Sequence, residues 1–197
     1  MKKLWLWVLG IAIMWPAPAG AKVRLNGGLG YYQPTDPAIT GRYGNKSILT
    51  FSLGGEIPIS KRLSSRVEFE LTDTRPDLFG GRVGAPGTRD LATVGGRVGL
   101  TGYPFSPGGH GRALYLSAGG TYRHLTEMLW VQSADPTRTD RQDTSYFVLG
   151  PYALIGARMS GFSIEARYDW PLLGTGAPYG TAGGLSLSAG FTIPIGM

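Results

Sequence analysis

The chain contains no cysteine, which excludes disulfide frameworks, thiolate-held metals and cysteine nucleophiles. Charge is also scarce: Asp, Glu, Lys and Arg make up 16% of the 197 residues, against roughly 25% in ordinary soluble domains. No segment sustains the three-or-four spacing of apolar residues that an amphipathic helix requires. Nor is any apolar run long enough to cross a bilayer as a helix, which takes about 20 residues; Leu4 to Trp15, interrupted by Gly10, falls short. Neither a metal site nor a cofactor is expected. Gly44-Asn45-Lys46-Ser47 lacks the spacing of a phosphate-binding loop, and it lies between strand-like segments rather than before a helix. The repeated Gly-Gly-Arg-Val-Gly at 80–84 and 95–99 is too short to establish an internal repeat.

Glycine is abundant, at 32 residues beside 14 prolines, yet 42% of the chain is hydrophobic, too much for a disordered polymer. The first 21 residues read as a secretory signal peptide: basic Lys2 and Lys3, a short apolar stretch, then small residues ending Ala19-Gly20-Ala21. Residues 22–197 form the expected single domain.

That domain alternates with period two. Eight segments are expected as strands: Lys22 to Tyr32, Ile48 to Ile59, Leu63 to Thr74, Leu91 to Tyr103, one around Leu114 to Arg123, Thr144 to Met159, Phe162 to Trp170, and Leu185 to Ile195. Leu63, Val67, Phe69 and Leu71 against Ser64, Arg66, Glu68, Glu70 and Thr72 give the cleanest alternation. Between segments, Gln33–Ser47, Arg75–Asp90, Leu125–Asp143 and Pro171–Gly183 read as long polar loops, and the connections near Lys61, Pro107 and Ser160 as short turns. Consecutive antiparallel strands gather the long loops at one end. Such a pattern predicts an eight-stranded antiparallel up-and-down transmembrane β-barrel of the bacterial outer membrane, with short periplasmic turns and long extracellular loops. Pro58 and Pro194 fall near strand ends, where a lost ladder donor is tolerated. Tyr31, Tyr32, Tyr122, Trp130 and Trp170 are expected in an outer aromatic girdle, and Tyr103, Phe105 and Phe162 in an inner one.

Alternation alone does not separate this barrel from a soluble lipocalin-like one, which is its inversion. Low charge, two unequal ends and a polar face rich in Gly and Ser favour the membrane form. The chain from Lys22 to Met197 resembles the small outer-membrane β-barrel proteins, the OmpX/OmpA-like superfamily. The likeness lies in Gly54-Gly55-Glu56-Ile57-Pro58-Ile59-Ser60-Lys61-Arg62-Leu63, in Arg66-Val67-Glu68-Phe69-Glu70 and in Glu165-Ala166-Arg167-Tyr168-Asp169. It implies residence in the cell outer membrane and contact with the outer-membrane assembly machinery during biogenesis. Such proteins usually end in an aromatic residue that this machinery reads; here the sequence ends Ile195-Gly196-Met197.

The polar face carries Arg24, Arg66, Arg97, Arg123, Arg158 and Arg167 with Glu56, Glu68, Glu70, Glu165 and Asp169. Balanced charges in a narrow interior are expected to pair into a salt-bridge plug, because a buried charge persists only when paired and hydrogen-bonded. An ion pathway is the functional alternative. Inward Gly28, Gly54, Gly119 and Gly190 are expected to leave room for the arginines. Loop residues Arg42, Lys46, Arg75, Arg82 and Arg89 are candidate contacts for lipopolysaccharide phosphates, since guanidinium matches phosphate geometry, and a surface protein is a second partner to consider. Nucleic acid is not expected: the formal net charge is +6, but much of the positive charge is assigned to the lumen. No catalytic residue is expected. The rival enzyme reading draws on outer-membrane lipid A deacylases, which use a His, a nearby Ser and an acid on the outer wall; His124-Leu125-Thr126-Glu127 echoes that with threonine in place of serine. His110 is expected in a periplasmic turn.

Overall fold

The computed structural model describes residues 23–35, 48–73, 86–105, 112–135, 138–175 and 183–195. The signal segment, the last two residues, Arg42, Lys46, Arg75, Arg82 and His110 lie outside them.

The strands are β1 (Val23–Pro34), β2 (Ile48–Pro58), β3 (Leu63–Asp73), β4 (Arg89–Gly102), β5 (Arg112–Gln132), β6 (Thr139–Met159), β7 (Phe162–Asp169), β8 (Leu173–Thr175) and β9 (Gly184–Ile195). All pairings are antiparallel, each of β1 to β5 pairs with the next strand, and β5–β6 and β1–β9 pairing closes the ring. β7 and β8 are one wall strand in two pieces, both paired with β6. Tyr152 faces Asp169, but Leu149 faces Leu173, so one extra residue is inserted in between. This is a bulge. It contains Pro171, opposite Pro151 of β6, and the ladder is carried across it by Trp170 N–H donating to Pro151 O and Leu172 N–H to Leu149 O, each at 2.9 Å. Two prolines thus share one interruption instead of breaking two ladders. The ring has eight positions.

Apolar side chains point outward and polar ones inward. Leu29, Ile155, Ile164 and Leu187 are more than half exposed, whereas Glu56, Glu68 and Arg167 are buried. A water-soluble barrel has the opposite arrangement, so the lipocalin-like alternative fails on the facing of its own side chains. On β6, where sequence left the facing open, Leu149, Ile155 and Met159 are outward and Val148, Tyr152, Leu154 and Arg158 inward.

Several expectations need correction. Most of Leu125–Asp143 is not loop: β5 and β6 are 21 residues each and stay paired up to Gln132 and Thr139. β4 starts at Arg89 and accompanies β5 there. Tyr32 and Tyr103 are buried in the interior instead of joining the girdles. Their position on the inward parity, with Gly30 and Thr101, explains this. The girdle at the long-loop end is made by Tyr31, by Tyr122 stacked near Phe147, and by Tyr168 edge-on to Trp170. Phe105 and Phe162 are exposed at the other end. Inward Gly119 and Gly190 lie against neighbouring backbone, not against arginine stems, so their service is the close strand approach of a small, sharply curved barrel.

Among the described residues, two tight turns bound the short-turn end. Ser160 and Gly161 have φ of 46° and 88°, the two left-handed residues of a type I′ hairpin, for which a small residue followed by glycine is favoured.

Candidate functional site in the barrel lumen

Period-two alternation puts every second residue of each strand in the lumen, and eight strands enclose only enough space for side chains. Arg66, Glu68, Glu70, Arg97, Arg123, Arg158, Glu165 and Arg167 are all buried there, along with Glu56 and Asp169.

The structure joins seven of those eight, with Asp169, into one chain of contacts. Arg66 bridges Glu165 at 2.7 Å and Glu68 at 2.9 Å. Arg97 links Glu68 to Glu70, the latter at 2.9 Å. Glu70 also receives Arg123 at 3.2 Å and Arg167 at 2.5 Å. Both of those arginines continue to Asp169, at 2.5 Å and 2.9 Å. Four guanidiniums therefore face four carboxylates, and the planar fork of arginine lets each span two acids. Arg158 belongs to a separate group nearer the short-turn end, where Glu56 is shared by Arg24 at 2.8 Å and Arg158 at 3.0 Å.

Tyrosines complete both groups, and the sequence reading missed them. Tyr103 O–H donates to Glu56 and receives Arg158 at 3.0 Å. Tyr115 O–H donates to Glu165 at 2.6 Å. The Tyr32 ring lies 4.6 Å from the Arg123 guanidinium, a cation–π contact in a desolvated setting. Inward parity on β1, β4 and β5 was the signal that could have found them.

Toward the long-loop end the charges stop at an apolar layer of Tyr32, Ile48, Leu91, Leu125 and Val148, with Tyr146 packed against it. Above it Arg89 pairs with Glu127 at 2.7 Å, so the guanidinium of this candidate phosphate contact already has a carboxylate partner. On the outer wall Trp130 Nε1–H donates to Asp90 at 2.7 Å. Beyond the apolar belt, the Arg141 guanidinium hydrogen-bonds Asp143 and holds its carboxyl below the usual carboxylate range.

His124 is exposed on the outer wall beside Val94 and Phe147. Thr126 shares that face and lies 3.4 Å from the Ser145 hydroxyl. Glu127 points the other way, into the lumen toward Arg89. The three groups of the deacylase echo are thus split between two faces of one strand, and no acid of that motif orients the histidine, which a hydroxyl nucleophile needs. Among the described residues no group of three or more His, Asp and Glu side chains is placed to hold a metal ion.

No family model matches the chain, and no curated protein matches it. Solved structures do. Neisserial surface protein A superimposes with a TM-score of 0.54 at 12% identity, covering 88% of this chain and 96% of that one. Ail, the attachment invasion locus protein of Yersinia pestis, gives 0.45 at 14% identity over 88% and 99% of the two chains. OprG of Pseudomonas aeruginosa gives 0.46 at 13% identity over 90% and 94%. At these identities the likeness is one of fold. A closed eight-position ring, an apolar exterior and a charged interior give this chain the fold of the small outer-membrane β-barrel proteins.

Proposed function

We propose that the protein is a closed, non-enzymatic barrel with a structural or surface-interaction role, its lumen plugged by salt bridges and its extracellular loops contacting lipopolysaccharide or a surface protein. The carrying observation is the continuous charge chain from Glu165 to Asp169 with the apolar layer of Ile48, Leu91, Leu125 and Val148 above it. Charges committed to one another at 2.5–3.2 Å are poor ligands for a passing ion, and an apolar constriction opposes wetting. Chemistry is then left to the ends of the barrel. In the sequence, Arg42, Lys46, Arg75 and Arg82 fall in the long connections, and their forked or point charges suit phosphate.

Planar-bilayer recording on the purified protein tests the plug: no resolved conductance is expected, and steady unitary currents would replace this reading with that of a narrow channel. Incubation with lipid A followed by mass spectrometry tests the enzyme question. The products should be unchanged; acyl loss abolished by His124→Ala would make the protein a hydrolase.

A further inference from the structure

Acidic and basic side chains are not distributed alike between the two ends of the barrel. At the short-turn end the exposed charged residues among those described are Lys61 and Arg62, in the β2–β3 turn, and Arg112, the first residue of β5. None is acidic. Glu56, Glu68, Glu70, Glu165 and Asp169 are buried in the lumen, and Glu127 is buried facing it nearer the long-loop end. The rest fall in sequence at the far ends of β3 to β6 or in the connections leaving that end. At that far end the cations come with acids: Arg89 with Glu127, Arg138 with Asp135, Arg141 with Asp143.

The three cations lie on one flank. Tyr103 N–H donates to Arg62 O at 2.9 Å, tying the β2–β3 turn to the end of β4. Phe105, 79% exposed, follows two residues later, and β4 runs alongside β5, which begins at Arg112. Immediately within the apolar belt are outward Leu100 and Leu114. An exposed aromatic and long basic side chains at the edge of such a belt occupy the depth of lipid headgroups, with stems in the apolar region and charges at phosphate level.

We propose that this flank binds anionic phospholipid headgroups, phosphodiesters of the phosphatidylglycerol type, in the membrane leaflet at the short-turn end. Each basic residue close to an anionic bilayer surface raises affinity about fivefold, and the gain is screened by salt. A zwitterionic headgroup gives no such net attraction. This contact is independent of the lumen and of the extracellular loops.

Native mass spectrometry of the protein released from nanodiscs of mixed phosphatidylglycerol and phosphatidylcholine reads the preference directly. The wild-type barrel should retain phosphatidylglycerol over phosphatidylcholine. The triple variant Lys61→Gln, Arg62→Gln, Arg112→Gln should lose that preference tenfold or more, while Arg138→Gln with Arg141→Gln keeps it. An unchanged preference in the triple variant overturns the proposal. So does a variant that keeps its lipid preference but no longer sediments with peptidoglycan sacculi, which would assign the flank to the acidic cell-wall polymer. Heat-modifiable migration establishes that each variant is folded; should the triple variant fail it, Lys61→Gln and Arg62→Gln taken singly on their exposed turn should each lower the preference about fivefold, and no change in either counts against the proposal.

Discussion

Tyr115 reaches Glu165 by passing over Gly156. The three are register partners on successive strands, Tyr115 of β5 opposite Gly156 of β6 and Gly156 opposite Glu165 of β7. The tyrosine hydroxyl donates to the carboxylate at 2.6 Å, and a Cβ at Gly156 would run into the ring. A missing side chain on the middle strand thus lets a hydrogen bond skip a strand, linking β5 to β7 through the lumen.

Gly156→Ala should therefore cost about 1–3 kcal/mol, as overpacking of a closed interior does. Tyr115→Phe removes the bond without the clash. Urea unfolding of both single variants and the double should show a double cost below the sum, because the alanine has already displaced the ring from Glu165; strict additivity would mean that the ring does not need the gap.

Arg97 links Glu68 to Glu70 inside the lumen. Arg97→Ala should lower unfolding stability by about 3–5 kcal/mol, since it leaves buried carboxylates underpaired. Arg138, 79% exposed on its side chain and 3.6 Å from Asp135, is the control: Arg138→Ala should change stability by less than about 1 kcal/mol. Equal effects would remove the charge chain from the account of stability.

Tyr103→Phe deletes a hydroxyl that donates to Glu56 and accepts from Arg158. A loss of about 1–3 kcal/mol is expected, the cost of leaving buried polar groups unsatisfied. Tyr31→Phe, on the exposed outer face, should be close to neutral by the same unfolding measurement.

The apolar belt sets a depth-dependent penalty. Leu29 is outward, between Leu25 and Tyr31 on β1, and Leu29→Arg should cost about 2–4 kcal/mol on refolding into bilayers, against about 0–1 for Ser145→Arg beyond the girdle. Similar costs at the two positions would misplace the belt.

Much of this protein was legible in one dimension. Strand periodicity is a property of neighbouring residues, so Arg66, Glu68 and Glu70 declare a polar face and Leu63, Val67 and Phe69 an apolar one before any partner is known. The strand count and the unequal ends follow from the same pattern. Tyr32 and Tyr103 were misplaced because residue type was weighed above parity, although the alternation of β1 and β4 already turned them inward.

Other features had no local signature. A polar stretch such as Thr139–Asp143 reads as loop, yet it is strand because β5 supplies its backbone partners, and pairing there outweighs intrinsic preference. Which acid meets which arginine was likewise undecided: Arg66 joins Glu165 across 99 positions and Arg158 joins Glu56 across 102. The sequence by itself determined the faces, because alternation needs only adjacent residues. Tertiary structure alone decided the partners, because inter-strand register and ring closure bring distant inward positions to the same height in the lumen.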